Sequence, residues 1–357
     1  MDISKIITVG VSRETKPISL KSFQTLLILG TNALFSERAK LFSSNELAAL
    51  ADDLTGGSAA LEYIHASTVF GQERHIDSVL IGKKETGDTT WADALDAIVE
   101  DAFSFFAVAI IVRTKTDQKS VATWCQANGR VFVVSTADGD NIITPEGTDE
   151  SIGAYVKAGA LSNTTVIYHS KATTEAIDSA LLGYVLSLTP GSYTGAFKTL
   201  AMVTVDVLPC SNSVTAHEKL VSTYESIVGR NGLFFSWVGS GEFLDIIIFV
   251  YWLIARLQEA NILILLNSPK SSMTDKGISV HESACRKVLD TGIANGGISD
   301  HTFLTDGTRT GGYALEVPKA SDLSVPDKLL RHLAGIKFRA FLAGAIHTIA
   351  IDGVLTI

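Results

Sequence analysis

The sequence is poor in the features that usually make chemistry legible. Three cysteines, Cys125, Cys210 and Cys285, are scattered through 357 residues without a CxxC pair. That excludes a disulfide framework and a zinc knuckle, and it reads as small buried hydrophobes in a reducing compartment. Cationic residues are in the minority, 29 against 38 acids, for a formal charge of −9 and a pI near 5.4. There is therefore no electrostatic footprint for nucleic acid or for an anionic membrane. The opening MDISKIITVGVSRETKPI lacks the apolar run of a signal peptide, so the chain is expected to fold in a cytoplasm.

Catalytic motifs are missing in the same way. Gly82-Lys83-Lys84 lacks the upstream glycine and the following Ser or Thr of a Walker A loop. Gly239-Ser240-Gly241 has no third glycine, and Glu242 and Asp245 would repel an anion at the helix that it opens. No GxSxG elbow occurs. His281 and Cys285 share a helical spacing but have no further ligand nearby, whereas a closed zinc site needs four. Acid pairs such as Asp52-Asp53 and Glu100-Asp101 fall in helical stretches where a solvated face is the default. No catalytic residue, cofactor or metal ligand is assigned.

What is present is a large apolar content, 46% hydrophobic with 19% charged residues and a mean hydropathy of +0.27, which requires a sizeable core. Strand-like runs at 78–84, 106–113, 130–136 and 164–170 alternate with helical stretches near 90–104, 117–128 and 149–158. Continuous Val/Ile runs between helices are the mark of parallel strands covered on both faces, so this region is expected to be a doubly wound α/β unit. Earlier, Ile7, Val9 and Val11 alternate with small polar residues, and a second run, Phe23 to Leu29, ends at Gly30. After residue 174 the pattern predicts helices at 174–187, 213–228, 242–266 and 274–291. A Gly/Asp/Thr-rich surface excursion over 292–312 and a short helix over 324–333 follow. Strands at 336–344 and 345–357 close the chain.

Two features stand out. The stretch from Glu242 to Leu266 is very apolar, yet only ten uncharged residues separate Asp245 from Arg256, where a membrane span needs about 20. Glu242, Asp245, Arg256 and Glu259 fall on about a third of the helix circumference. This predicts a helix buried over most of its surface with one charged stripe facing solvent or a partner. The second feature is that both ends read as strands, and Ile349, Ile351, Leu355 and Ile357 share a face. Such strands complete either the chain's own sheet or that of another copy.

Several segments carry a resemblance: ATTEAIDSALLGYVLSLTPGSYTGAFKTLAMV (172–203), SGEFLDIIIFVYWLIARLQE (240–259), the closing VPKASDLSVPDKLLRHLAGIKFRAFLAGAIHTIAIDGVLTI (317–357) and the opening ISKIITVGVSRETKPISLKSFQTLLILG (3–30). In these the chain resembles the contractile tail sheath proteins of myoviruses and phage-tail-like particles. The resemblance runs end to end, is weaker through 60–170 and 267–315, and is most specific in the C-terminal segment. Similar sheaths carry more polar residues in the middle of the 242–259 helix, where this chain has Ile247, Ile248, Phe249 and Tyr251, pointing to a more apolar partner surface.

The resemblance implies a structural subunit that is not an enzyme and uses no cofactor. It would form rings of six stacked around a tail tube and contract from a metastable extended state, with tube, baseplate and tail terminator proteins as partners and no nucleic acid or membrane insertion. It would be assembled in the bacterial cytoplasm and reside in the particle's tail. The fold is then α/β, α+β overall. Residues 1–30 would be an N-terminal strand segment joining an inner domain, 31–172 an outer α/β domain, and 173–357 an inner α+β core with a C-terminal strand arm. Ile6, Ile7, Val9, Val11, Ile346, Ile349, Ile351, Leu355 and Ile357 would form intersubunit strand arms. Asp322, Asp327, Lys328 and Arg331 are the first candidates for facing the tube, and the Glu242, Asp245, Arg256 and Glu259 stripe the second. The alternative is a cytoplasmic α/β enzyme binding a small ligand at the strand ends near Lys83, Arg113 or Thr136.

Overall fold

The computed structural model describes residues 22–145, 149–303 and 309–350. Eight strands form one mixed sheet: β1 (Leu26–Gly30), β2 (Ala39–Ser43), β3 (Ser78–Lys83), β4 (Ala107–Ile110), β5 (Val131–Thr136), β6 (Thr164–Tyr168), β7 (Val221–Ile227) and β8 (Arg230–Phe234). Their spatial order is β2-β3-β1-β4-β5-β6-β7-β8, with the six inner strands parallel and β2 and β8 antiparallel at the edges. Every residue of β1, β4, β5 and β6 is buried. This is why their sequences are continuous apolar runs and not alternating ones.

The first eight helices cover or flank this sheet: α1 (Leu47–Asp52), α2 (Leu61–Phe70), α3 (Trp91–Glu100), α4 (Lys115–Ala127), α5 (Asp140–Ile143), α6 (Ile152–Ala158), α7 (Ile177–Leu186) and α8 (Cys210–Glu218). α2 packs with α7, and α4 packs with both α3 and α6, so the helices form two groups around the sheet. The expected α/β class is found, as one mixed eight-stranded sheet with helices packed around it.

The remaining elements extend beyond the sheet: α9 (Leu244–Asn267), α10 (Asp275–Ala294), β9 (His301–Phe303), β10 (Arg309–Gly311), β11 (Tyr313–Glu316), α11 (Val325–Leu330) and β12 (Lys337–Ala340). The excursion over 292–312 is not all surface, since it buries Ile298 and contributes the β9/β10 ribbon.

Two expectations change. Residues 26–30 are not part of a terminal segment apart from the α/β unit: β1 is paired in parallel with β3 on one side and β4 on the other, inside the sheet. The helix expected over 213–228 stops at Glu218, because Val221–Tyr224 is a β-branched and aromatic run that is wholly buried as β7. β7 turns into β8 through Val228 and Gly229, with φ of 51° and 79°. Positive φ at both positions is the two-residue hairpin turn that matches strand twist, and Gly229 suits it where Val228 is strained.

Placing β1 inside the sheet has a measurable consequence. Leu27 is fully buried and Leu41, on edge strand β2, is 59% exposed. Leu27→Ala is expected to cost about 2–5 kcal/mol in chemical denaturation, and Leu41→Ala less than about 0.5 kcal/mol. Equal, small effects would contradict the placement.

Candidate assembly surfaces

In a sheet of this order the chain leaves β1 toward β3 and returns to β4, so a ligand crevice would open at the C-terminal ends of β1 and β4. Here protein side chains fill it. Glu62, wholly buried on α2, accepts hydrogen bonds at 2.8 Å from the Thr31 and Asn32 backbone N–H groups and from the Asn32 side-chain amide. Gly30 permits this approach: a Cβ there would lie 1.9 Å from Glu62 Oε1.

The neighbouring space holds Arg113, which donates to the Ala172 and Ile110 carbonyls and to Asp178 at 2.9 Å. Arg113 also donates to His65 Nε2 at 3.1 Å, leaving His65 Nδ1–H to bond Ser179 Oγ at 2.7 Å. Burial lowers the His65 pKa to about 4, against the pull of Asp178, so the ring is neutral. The group resembles a Ser–His–Asp relay in composition, yet Ser179 and Asp178 have no exposed surface. Of the other residues singled out for a ligand, Lys83 donates to the Phe35 and Ser36 carbonyls, and Thr136 is buried with its hydroxyl accepting from Asp138 N–H. All three side chains are engaged within the chain.

The surfaces left open lie on the C-terminal extension. Among the described residues, β11 and β12 make a two-stranded sheet in which neither strand has a second neighbour. Ala314, Glu316, Lys337 and Arg339 leave one face of the ribbon exposed, while on the other Phe338 is exposed and Tyr313 and Ala340 pack against the core, with the Tyr313 hydroxyl donating to Asp290 at 2.7 Å. A pair of four-residue strands standing alone is marginal in water. Just beyond β12, Phe341 and Ala343 pair with the chain at 297–312, and Leu342 bridges Ile298. The His347 ring then enters an aromatic cage, with centroids 4.4 Å from Phe243, 5.8 Å from Phe235 and 6.0 Å from Phe197, while Thr194 Oγ1 meets Nε2 at 3.0 Å. Ile346 and Ile349 flank this anchor at 80% and 77% exposure and belong to no strand within the chain. The other arm residues, Ile6, Ile7, Val9, Val11, Ile351, Leu355 and Ile357, lie outside the described residues.

The charged stripe does not survive folding. Glu242 is exposed and precedes α9, whereas Asp245 is buried. Arg256 pairs with Glu259 at 2.5 Å, and both line the groove between α9 and α10. Nor is α9 buried over most of its surface, because no residue after Ala255 is buried. Val250, Ile254, Ile262, Leu265 and Leu266 are exposed. With a hydropathy of 1.5 over its apolar window, of which 28% is buried, α9 is long and apolar enough to cross a membrane by composition alone. Hydropathy cannot distinguish a core face from one awaiting a partner, and the exposed face is the apolar one. His281 and Cys285 serve the α9–α10 packing: His281 Nδ1 meets Asn261 Oδ1 at 2.8 Å, and the Asn261 amide reaches Cys285 Sγ at 3.5 Å.

The first-choice charged edge sits around α11, which buries none of its residues. Ser324 caps it by accepting from Asp327 N–H at 3.1 Å, and the same serine holds the Asp327 carboxyl below its ordinary pKa. Asp322 turns back to Lys319 N–H, leaving Lys328 and Arg331 exposed beside Leu329 and Leu330.

The fold, an eight-stranded α/β block with a C-terminal extension, is shared with solved structures. Similar solved structures include the anti-feeding prophage helical sheath in its contracted state, at TM-score 0.67 and 12% identity over 97% of this chain and 98% of that one, and a chain of the anti-feeding prophage baseplate, at TM-score 0.67 and 11% identity over 98% of each. Both come from a contractile particle of the phage-tail type. No family model and no curated protein matches the chain.

Asp245 supplies a pH test. Burial beside the unpartnered Tyr193 hydroxyl raises its carboxyl from 3.8 to about 6, and its Oδ1 has no partner. The folded chain then binds an extra proton between those values, so stability falls as pH rises through that window and the loss is complete above it. Asp245→Asn is expected to flatten this slope in thermal melts and to exceed the parent chain by about 1–3 kcal/mol at pH 8. A variant that keeps the slope would place it elsewhere.

Proposed function

We propose that the chain is a subunit of a contractile sheath, polymerising with copies of itself around a tail tube. The β11/β12 ribbon carries the reading: two strands that, among the described residues, have no neighbour beyond each other have the form of a receptor for strands donated by neighbours. Likeness over nearly the whole chain to a helical sheath supports it. The donors are the terminal arms, residues 6–11 of one neighbour and 346–357 of another. The 1–30, 31–172 and 173–357 division is retained only for the arms and the inner position of the extension, with β1 belonging to the outer block.

Rings of six stack along the tube in an extended state held by a kinetic barrier. Contraction exchanges some interfaces while the backbone-paired arms persist, since main-chain hydrogen bonds tolerate rotation of whole subunits. No nucleotide is required. Lys328 and Arg331 remain the tube-facing candidates, through exposed contacts worth about 0–1 kcal/mol each that can be released. Baseplate and terminator proteins cap the ends, and the particle is built in the bacterial cytoplasm. The apolar face of α9 meets a neighbouring copy.

Negative-stain microscopy of the purified chain is expected to show hollow cylinders or rings of six, and featureless single particles would overturn the proposal. Removing Ala345–Ile357 should abolish polymers without loss of the sheet's circular dichroism signal. Ile254→Glu should also abolish them while shifting stability by less than about 0.5 kcal/mol, as expected of a solvent-facing position. Polymers of the parent chain should resist added salt more than charged contacts alone would allow.

A further inference from the structure

A cavity of about 520 Å³ lies where four passages of the chain meet: residues 191–198, the first turns of α9, the end of α10, and residues 342–345. The passages approach closely. A Cβ on Gly297 would lie 2.3 Å from the Phe249 ring of α9, and one on Gly191, at φ 95°, would lie 2.9 Å from the Gly297 amide nitrogen. Ala343 N–H donates to the Gly297 carbonyl at 3.1 Å, which ties the last passage to the same wall.

The lining is negative where it is polar. Asp245 is only 9% exposed, and its Oδ1 and the Tyr193 hydroxyl have no hydrogen-bond partner among the described residues. Both side chains line the cavity. Burial raises the Asp245 carboxyl, and what pulls the other way is the backbone N–H groups of Asp245 and Ile246, not a cation. Lys198 is on the lining too, but its charge bears on His347, whose ring it holds below its ordinary pKa together with the larger effect of burial. The 20-residue helix α10 ends here with Ala294 and Asn295 on the wall, and the last turn of a helix carries partial negative charge.

We propose that this cavity binds an ammonium or guanidinium group, with Asp245 as its counter-ion and the Tyr193 hydroxyl as a second acceptor. A carboxylate oxygen, a hydroxyl and a helix C-terminus all accept from N–H donors. A metal ion fits less well, since hard cations take about six or more oxygens, and no cluster of three or more His, Cys, Asp or Glu gathers among the described residues. Ile246, Phe249 and Leu342 supply apolar wall for the aliphatic stem that carries such a head. An ionised Asp245 costs stability in the free chain, and a bound cation offsets that cost. The head belongs either to a lysine or arginine of a second copy or to a free amine. The proposal does not depend on the assembly reading, because both acceptors belong to one chain.

Thermal melts of the full-length chain at pH 8, where Asp245 is ionised, test the site. The probe is methylammonium chloride, and the control is tetramethylammonium chloride, a cation without N–H donors. Methylammonium is expected to raise the Tm of the parent saturably by about 1–3 °C. Asp245→Asn should lose this rise, and Tyr193→Phe should bind the probe about three- to tenfold more weakly. Lys198→Met removes a like charge from the lining and should bind about threefold more tightly or better; it is the second variant should Tyr193→Phe misfold. No rise in the parent, an equal rise in Asp245→Asn, or an equal rise with tetramethylammonium overturns the site. Sedimentation of preformed polymers distinguishes the source. Subunits freed by methylammonium and not by the control place a side chain of a second copy in the cavity, whereas polymers that persist while the probe binds assign it to a free amine. A chain that forms no polymers but behaves as expected in the melts would remove the assembly reading and leave this one standing.

Discussion

A carboxylate buried at the end of the central strand sets the character of this molecule. Glu62 satisfies the backbone N–H groups that β1 leaves behind, in space that only a glycine at position 30 allows. Arg113 from the loop after β4, Asp178 and Ser179 from α7 and His65 from α2 itself complete the closure. A buried charge persists only when its hydrogen bonds are met, and these are. The α/β block is therefore solid at the position where sheets of this order open toward ligands.

With that position closed, the unmet demands of the chain concentrate at the other end. Among the described residues β11 and β12 have no neighbour beyond each other, α11 buries nothing, and the second half of α9 leaves its apolar side uncovered. Each is a surface that costs free energy when left in water.

The parallel strands were readable because burial on both faces writes an uninterrupted Val/Ile run, as in Val131–Val134. The partner of such a run is not written locally. Leu26–Gly30 therefore looked like part of a terminal segment, although it is the hub of the sheet. β7 was misread because the run into Val221–Tyr224 continues an apolar pattern that suits either period over so few residues. α9 shows the limit most plainly: its composition was visible, but which side is covered depends on α10 and on where the body ends. Glu62 left no signal at all, since an acid inside a helix normally faces water. His347 was likewise unmarked, because its cage is assembled from residues more than a hundred positions away.

α9 also bears on mechanics. It is a single uninterrupted helix of 24 residues, about 36 Å long. Its first half is bolted to the body through Tyr251, which donates to Asn163 and stacks edge-on against Phe106, and its second half carries α10. No flexible joint lies between those halves. A load applied to the extension would therefore reach the sheet along a stiff strut and not be taken up by bending.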